Sequence, residues 1–323
     1  MTTTVTKDET EAPSGAGLRS KGRPGDKIFS GTALGAGIII LLVLAAVTAF
    51  LIIESIPAFT EDPEDNPILQ GRSFFEYAGP LVFGTIWASF LALLLATPLA
   101  LGIALFISHY APRRIAAGLG YIVDLLAAVP SVVYGLWGGI TLAGGVQPFY
   151  AWLNENLGFV FLFSGDLSAT GRTILTAGIV LAVMVLPIMT AICREVFLQA
   201  PTLHEEAALA LGATRWEMIK MAVLPFARGG IVSAMMLALG RALGETMAVT
   251  MVLSVAGAVT FQLVTPSNPT TIPANIALSF PEAFGTGVNA LIATGLVLFI
   301  VTFAVNAFAR YFVNRRAEFS GAN

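Results

Sequence analysis

The chain has 323 residues, of which 56% are hydrophobic and only 11% are charged. Soluble domains carry about 25% charged residues, so this composition excludes a soluble globular protein and predicts a polytopic membrane protein. The single cysteine, Cys193, excludes an internal disulfide and a cysteine-based metal cluster. The net charge at pH 7 is only −3, so the placement of the cations is more informative than their sum.

Long apolar stretches define the predicted elements. A helix needs about 20 apolar residues to cross a bilayer. Prolines and glycines inside such stretches, among them Pro98, Pro130 and Pro187, are tolerated in bundled membrane helices. We therefore predict an all-α membrane protein with six transmembrane helices. They cover about 31–53, 80–107, 117–142, 172–193, 229–258 and 287–310.

Polar segments at the two ends set the predicted domain boundaries. Residues 1–28 are rich in Thr, Gly, Lys and Glu and lack the apolar core and cleavage site of a signal peptide. They predict a disordered N-terminal tail, and the first apolar stretch then serves as an uncleaved anchor. Residues 29–316 form the predicted transmembrane domain, followed by a short C-terminal tail, 317–323.

Lysine and arginine are distributed unevenly between the two sides of the predicted bundle. The two terminal segments and the loops 108–116 and 194–228 hold 14 of the 17 Lys and Arg residues, whereas the opposite loops hold only Arg72 and Arg172. Because cations accumulate in cytoplasmic loops, we expect both termini in the cytoplasm. An even number of spans, such as the six predicted here, places both termini on the same side of the membrane, in agreement with that orientation.

Three segments on the opposite side carry local signals. Ser73-Phe74-Phe75-Glu76 has the spacing of a capping box, which predicts a helix that begins there and enters the second span. The stretch 143–171 contains Phe149-Tyr150-Ala151-Trp152-Leu153 but is too short and polar to span, so it predicts an interfacial helix or a re-entrant turn. The stretch 259–286 contains four prolines and predicts an ordered loop.

The third apolar stretch contains a carboxylate and a proline. Asp124 is costly inside the membrane, so it either pairs with a cation on a neighbouring helix or acts in gating, and it would repel an anionic substrate. Pro130, Ser131 and Gly135 predict a kink with close helix packing. His109, just before this stretch, is interpreted as an anchor at the cytoplasmic membrane boundary.

The segment 194–228 is the most organised part outside the predicted spans. Thr202-Leu203-His204-Glu205 and Thr214-Arg215-Trp216-Glu217 each have the spacing of a capping box. Gly212 lies between them, where a left-handed helix stop belongs, and Pro225 is expected to break the second helix before the fifth span. The pattern therefore predicts two short helices that meet at a sharp turn.

Two opposite charges lie inside the fifth apolar stretch. Arg241 and Glu245 are four residues apart, so on a continuous helix they share one face and can reach each other. A charge near a bilayer centre costs about 2.5–3.5 kcal/mol on insertion scales, so such residues usually face a bundle interior or a pathway. One interpretation is a purely structural ion pair. We favour a second one, in which an anion meets Arg241 in the membrane and Glu245 restrains this arginine.

The loop between the fourth and fifth spans resembles the EAA loop of ABC-importer permeases. Glu206-Ala207-Ala208, Gly212 and Leu224-Pro225 match its E-A-A-x3-G-x9-I-x-L-P pattern, except that Ala222 stands at the isoleucine position. In such permeases this loop docks into a cleft of the ATPase subunit. The resemblance implies that the ATPase-coupling residues are Glu205, Glu206, Ala207, Ala208, Gly212, Leu224 and Pro225.

Two membrane segments narrow this resemblance. Residues 124–138, which run from Asp124 to Gly138, are similar to the third-span signature of phosphate permeases, and residues 240–249 are similar to their fifth-span signature. Together they resemble the C-type (PstC) permeases of phosphate ABC importers over about residues 30–315. This implies the type I importer fold, a MetI-like bundle with cytoplasmic coupling helices. It also implies a substrate path or gate formed by Arg241, Glu245, Thr246, Asp124 and Ser131.

The same resemblance implies the partners of the chain. They are a second permease (PstA-type), two ATPase subunits (PstB-type), an extracytoplasmic phosphate-binding protein (PstS-type), phosphate and the lipid bilayer of a bacterial inner membrane, with no nucleic acid. The sequence has no G-x-x-x-x-G-K-[ST] loop, so ATP hydrolysis is expected in the ATPase partner. No cofactor is expected in this chain.

Other functions remain open at this point. The sequence lacks Gly-x-Ser-x-Gly and His-Glu-x-x-His motifs, which argues against an enzyme. An importer of another oxyanion, sulfate or molybdate, is the main alternative. A secondary transporter is less consistent with the sequence, because it would need a coupling site within its own helices but no paired cytoplasmic helices.

Overall fold

Helices account for nearly all regular structure in the computed structural model, which describes residues 24–254 and 256–317. Within these ranges the only β pairing is an isolated bridge between Ala256 and Pro269. The predicted all-α fold is therefore confirmed. The α-helices are α1 Pro24–Ser55, α2 Pro57–Thr60, α3 Phe74–Leu105, α4 Arg113–Ala127, α5 Ser131–Trp137, α6 Ala143–Leu157, α7 Ile174–Leu198, α8 Thr202–Ala210, α9 Arg215–Met218, α10 Leu224–Leu243, α11 Met247–Val252, α12 Ile272–Ser279 and α13 Thr286–Ala317.

Within residues 24–254 and 256–317, five helical segments are long and apolar enough to cross a membrane, and a bent pair supplies a sixth. This agrees with the six predicted spans. The bent pair joins Arg113–Ala127 to Ser131–Leu157 at an angle of 89°. The continuous segments are Gly25–Thr60, Phe74–Tyr110, Ile174–Leu198, Arg215–Leu243 and Thr286–Tyr311.

The first helix begins earlier than the sequence predicted. The described residues up to Phe50 form one compact unit, and the described residues from Leu51 onward form another. In the first unit α1 starts at Pro24, so residues 24–28 are helical and do not belong to a disordered tail. A proline is favourable there, because the first turn of a helix does not need its missing N–H. The rest of the predicted tail, and residues 318–323, lie outside the described residues.

A seam of small side chains on α3 holds the second unit together. Five alanines, each four residues after the last, are fully buried, so every turn of α3 presents a methyl group on one face. This face packs against α7. The two helices are so close that a Cβ added at Gly178 on α7 would lie only 3.0 Å from the Cβ of Leu91 on α3. Small residues permit such close approach of membrane helices. The seam consists of Ala88, Ala92, Ala96, Ala100 and Ala104.

The third span is broken at Pro130. Helix α4 ends at Ala127 because a proline has no N–H to donate and disfavours a helical conformation in the residue before it. The predicted kink is thus a full break. Beyond it, Gly135 and Gly139 pack on the backbone of α11. A Cβ added at Gly135 would lie 2.8 Å from the Cα of Ala248, and one added at Gly139 would lie 2.6 Å from the carbonyl oxygen of Met251. The predicted close packing is confirmed.

The fifth span differs most from its prediction. The helix runs without a break from Arg215 to Leu243, because a π-helical turn at Ile219–Val223 precedes Pro225 and accommodates its missing N–H. The expectation that Pro225 ends a helix is therefore wrong. The helix does end inside the predicted span, at Leu243, and resumes as the short α11, Met247–Val252.

An ordered loop follows α11 and leads into α12. The carbonyl groups of Pro269 and Thr270 lie directly against Gly84, where any side chain would collide with them. The hydroxyl group of Thr85 accepts a hydrogen bond of 2.9 Å from the N–H of Ile272. Asn268 is fully buried, and its side-chain oxygen accepts from the N–H of Ile174 at 3.1 Å. The predicted loop is ordered, but its second half is helical.

Within the stretch 143–171, predicted as an interfacial helix or a re-entrant turn, residues 143–157 form the helix α6. Its aromatic residue Tyr150 is fully buried, and the hydroxyl group lies 2.8 Å from that of Thr176 on α7. The predicted capping box at Ser73 and Glu76 is confirmed: the hydroxyl group of Ser73 accepts from the N–H of Glu76, and the carboxylate accepts from the N–H of Ser73.

Candidate functional site

Arg241 and Glu245 do not form the predicted ion pair. Arg241 lies in the last turn of α10, whereas Glu245 follows the end of that helix. Glu245 is buried, 9% exposed, and its carboxylate accepts a hydrogen bond of 3.1 Å from the N–H of Ala248. No ion pair in the described part of the chain joins the two charges. The prediction assumed a continuous helix, and the break after Leu243 turns Glu245 away.

Each of these charges is instead placed at a helix end of opposite polarity. The last turn of α10 carries unpaired carbonyl groups, which favour the cation of Arg241. The first turn of α11 carries unpaired N–H groups, which favour the anion of Glu245. The break after α10 therefore supports two charges inside an apolar segment without pairing them with each other.

Arg241 lines a groove formed by α7, α10 and α13. The groove has a volume of about 800 Å³. Its floor is partly apolar, with Ile188 from α7, and its polar contributors come from α10 and α13. Arg241 is half-buried there, and its charge acts electrostatically on the hydroxyl group of Tyr134 on α5. The full lining is Ile188, Val232, Ser233, Met236, Leu237, Gly240, Arg241, Asn306 and Arg310.

Two further predicted path residues lie at the two helix breaks, Thr246 at the break after α10 and Ser131 at the break after Pro130. Thr246 precedes α11, and its hydroxyl group donates to the carbonyl oxygen of Gly244 at 3.2 Å. Ser131 is the first residue of α5, the short helix that packs on α11 through Gly135. Thr246 thus stabilises the break itself, whereas Ser131 lies at the other break, after Pro130.

Asp124 is placed away from the Arg241 groove. It lies on α4, and its carboxylate is 4.0 Å from the guanidinium group of Arg194 at the end of α7. Arg194 also contacts Glu195 at 2.9 Å. Gly120 leaves the space for this guanidinium group, since a Cβ there would collide with it. Of the two interpretations of Asp124, the structure therefore favours the first, because Arg194 is the cation on a neighbouring helix.

The helical turn at Gly212 has the predicted geometry. Helix α8 spans Thr202–Ala210, and Gly212 follows it with a φ of +88°, in the left-handed region. The second capping box is present: the hydroxyl group of Thr214 accepts from the N–H of Glu217, and the carboxylate accepts from the N–H of Thr214 at 2.8 Å. These predictions are confirmed.

The first predicted capping box, between Thr202 and Glu205, is absent. Pro201 precedes the helix, Thr202 is already its first residue, and no side chain caps the helix. The carboxylate of Glu205 instead lies 3.6 Å from the Nε2 atom of His109. His109 belongs to the π-helical turn Phe106–Tyr110, which follows α3. The prediction was wrong because the proline places Thr202 one position too far into the helix.

The contact of His109 with Glu205 links the end of α3 to α8. The Nδ1 atom of this nearly buried histidine lies 2.7 Å from the hydroxyl group of Ser108, so both ring nitrogens have partners. The sequence indicated only an interfacial anchor at His109 and not this link. Residues 109 and 205 are far apart in the chain, and no local spacing could have revealed it.

The outer surface of α8 and its turn is apolar and open. No residue of α8 is buried. Glu206 and Ala207 are exposed, Ala208 and Leu224 are half-buried, and Pro225 is exposed. Large apolar side chains next to them stand out at the surface, which is typical of a protein-docking site. They are Leu203, Leu209, Leu211 and Trp216, exposed by 73%, 43%, 90% and 52%.

Comparisons with known proteins place this arrangement in a family. Residues 96–318 match the family model described as binding-protein-dependent transport system inner membrane component. The chain is 46% identical over 300 residues to the phosphate transport system permease protein PstC 2 of Mycobacterium tuberculosis, covering 89% of this chain and 91% of that protein. It is 39% identical over 340 residues to PstC of Xylella fastidiosa, covering 99% of this chain and 100% of that protein.

A solved structure supports the fold at lower sequence identity. It is the crystal structure of a bacterial alginate ABC transporter in complex with alginate pentasaccharide-bound periplasmic protein. The match has a TM-score of 0.61 and 18% identity and covers 90% of this chain and 95% of that one. The chain therefore has the fold of type I ABC importer permeases.

A double-mutant cycle tests the separation of the two membrane charges. Glu245→Gln should lower the thermal stability of the purified protein, because the N–H of Ala248 loses a charged acceptor worth about 1.5–3 kcal/mol. We expect Arg241→Gln to have a smaller effect. The double variant should show the sum of the two effects within about 0.5 kcal/mol, as for residues that do not interact. A coupling energy above about 1 kcal/mol would mean that the two side chains pair directly.

Proposed function

This chain belongs to the PstC family of phosphate transport permeases, and we propose that it forms, with a second permease, the membrane path of an ATP-driven importer of inorganic phosphate. The observation that carries this proposal is the groove in which Arg241 meets no carboxylate. A guanidinium group offers five donors in a planar fork that suits the oxygens of phosphate. In a low-dielectric segment this unpaired cation favours an anion.

The break after α10 suits the transport of an anion. Arg241 at the end of a helix attracts phosphate, while Glu245, held by the N–H of Ala248, keeps a negative charge behind the break. Glu245 therefore does not compete for Arg241 in this conformation. We propose that movement of α10 relative to α11 brings Glu245 closer, so that phosphate is released. The transported ion is attracted and then freed without any covalent chemistry in this chain and without a cofactor.

We propose that α8 and the Gly212 turn dock onto an ATPase subunit. The support is the exposed apolar surface of Leu203, Leu211 and Trp216, where only the ring of Trp216 has a close charged neighbour, Lys220 at 5.8 Å. The contact between Glu205 and His109 would carry a displacement of the docked helix to the end of α3. ATP hydrolysis then belongs to the partner, in line with the absence of a phosphate-binding loop in this sequence.

The complete importer would contain several different subunits. We propose a PstA-type permease, two PstB-type ATPases and a PstS-type phosphate-binding protein on the extracytoplasmic side. The placement of the cations supports an orientation with both termini and α8 in the cytoplasm of a bacterial cell. In this orientation the cation-rich end of the bundle, with Arg113, Arg114, Arg215 and Lys220, faces the ATPases.

Uptake measurements test the proposed function. In proteoliposomes that contain the complete complex, ATP and the binding protein, the wild type should accumulate labelled phosphate. Arg241→Gln should abolish uptake at limiting phosphate while the subunits still co-purify. Arg241→Lys should rescue uptake only weakly, because it keeps the charge but loses the fork. Arg172→Gln, at an exposed position, is the matched control and should transport normally.

The outcomes of this experiment are distinct. Accumulation of sulfate or molybdate in place of phosphate would assign another oxyanion to the path. Uptake that follows a proton or sodium gradient without ATP would indicate a secondary transporter. Normal phosphate uptake by Arg241→Gln would reduce the arginine to a structural residue.

A pair of substitutions at one position tests the coupling turn. Gly212→Val should uncouple ATP hydrolysis from uptake, because a β-branched residue is strained at a φ of +88°. Gly212→Asn should retain most of the activity, since asparagine tolerates this conformation. No atom of the described chain lies within 4 Å of a notional Cβ at Gly212, so neither variant causes a collision within this chain, and the asparagine variant controls for an added side chain at the docked surface. Equal activity of both variants would exclude a coupling role for this turn.

Cysteine labelling tests the orientation. Ser267 and Thr214 are both exposed, and they lie at opposite ends of the bundle. After the native Cys193 is replaced, Ser267→Cys should react from outside in intact spheroplasts with an impermeant maleimide, whereas Thr214→Cys should react only after lysis. Labelling of Thr214→Cys from outside would reverse the proposed orientation.

A further inference from the structure

The groove that contains Arg241 also contains a second arginine. Arg310 on α13 lines it together with Asn306, which lies one turn earlier on the same face. The volume of about 800 Å³ falls in the range of small-ligand sites, about 300–1,000 Å³. In the sequence analysis Arg310 counted only among the cations that set the orientation.

The lining of this groove has two positive charges and no negative one. Neither Asp nor Glu contributes to it, and none of the ion pairs within residues 24–254 and 256–317 involves Arg241 or Arg310. Arg310 is exposed and Arg241 is half-buried, and two cations that line one groove repel each other. A bound anion offsets this repulsion, so the groove as a whole favours an anionic ligand.

The two arginines lie toward opposite ends of the groove. Arg310 is about 36 Å along α13 from Thr286, so it lies near the end of the bundle where α10 begins. Arg241 is in the last turn of α10, about 26 Å along this helix from Leu224. An anion that leaves Arg241 toward the cation-rich end therefore meets Asn306 and Arg310.

We propose that Asn306 and Arg310 form a second binding contact for the transported phosphate, which receives the ion from Arg241. This inference rests on the proposed function and deepens it. The guanidinium group of Arg310 supplies donors for two phosphate oxygens. The amide group of Asn306 supplies both a donor and an acceptor, which suits an anion that carries oxygens and one P–OH group.

Ser233, on the α10 side of the groove, adds a further acceptor. Its hydroxyl group donates to the carbonyl oxygen of Gly229 at 2.9 Å, so its proton is occupied and its oxygen can accept. Hydrogenphosphate can donate to this oxygen, whereas fully deprotonated sulfate cannot. The headgroup of an anionic phospholipid offers the same oxyanion chemistry to Arg310, and the experiment distinguishes this source from phosphate in transit.

Uptake by the complete complex in proteoliposomes tests the second contact. Arg310→Gln should lower phosphate uptake at limiting phosphate by about tenfold or more, because a hydrogen bond to a charged group is worth at least that factor. Arg310→Lys should recover part of this loss. Arg172→Gln is the control: this arginine is exposed and does not line the groove.

The lipid composition separates the two sources of phosphate oxygens. The defect of Arg310→Gln should be equal in vesicles of phosphatidylcholine alone and in vesicles that also contain phosphatidylglycerol. A defect that appears only with phosphatidylglycerol would assign Arg310 to lipid binding and overturn the proposal. If the wild type imports phosphate and Arg310→Gln imports it equally well, only the second contact is wrong. If the wild-type complex imports no phosphate, the proposed function itself fails.

A binding measurement keeps the test independent of transport. In the purified complex with Cys193 replaced, inorganic phosphate at millimolar concentration should slow alkylation of Ser233→Cys. This protection should be lost when Arg310→Gln is added and kept when Arg172→Gln is added. Protection that survives Arg310→Gln would show that phosphate in the groove does not depend on Arg310.

Discussion

A helix that stops inside a membrane leaves carbonyl and N–H groups without partners, and most of this structure is organised around satisfying them. The break after Leu243 exposes the last carbonyl groups of α10 and the first N–H groups of α11 to an environment with little water. Arg241 and Glu245 stabilise these two ends with opposite charges, and Thr246 bonds across the break. The two charges in this apolar segment are thus also the groups that stabilise the break.

The neighbouring elements divide into a fixed part and an interrupted part. The alanines from Ala88 to Ala104 pack α3 tightly on α7, and the loop before α12 is anchored to α3 at Gly84 and Thr85. In contrast, α5 and α11 are short and meet through glycines. The groove lies where α7 of the fixed part faces α10, just before the interruption. This combination suits a groove whose packed side, α3 and α7, stays in place while the short helices α5 and α11 move.

The sequence predicted those features that depend on a few neighbouring residues. The six apolar stretches, the left-handed Gly212 and the boxes at Ser73 and Thr214 all follow from local spacing. The pairing of Arg241 with Glu245 failed because the four-residue rule applies only within one helix. The break itself has no strong local signal, because membrane helices tolerate a glycine such as Gly244 in their interior. The groove with Arg310 and the contact between His109 and Glu205 required the tertiary structure.

The uninterrupted helix from Arg215 to Leu243 has a mechanical consequence. It begins at the exposed capping box of Thr214 and carries Arg241 in its last turn, about 39 Å away. A stiff rod of this length converts a small tilt at one end into a larger sideways displacement at the other. The π-helical turn at Ile219–Val223, close to the Thr214 end, is the position at which such a tilt can pivot. Arg241 therefore lies on the long side of this pivot, and the exposed start of the helix lies on its short side.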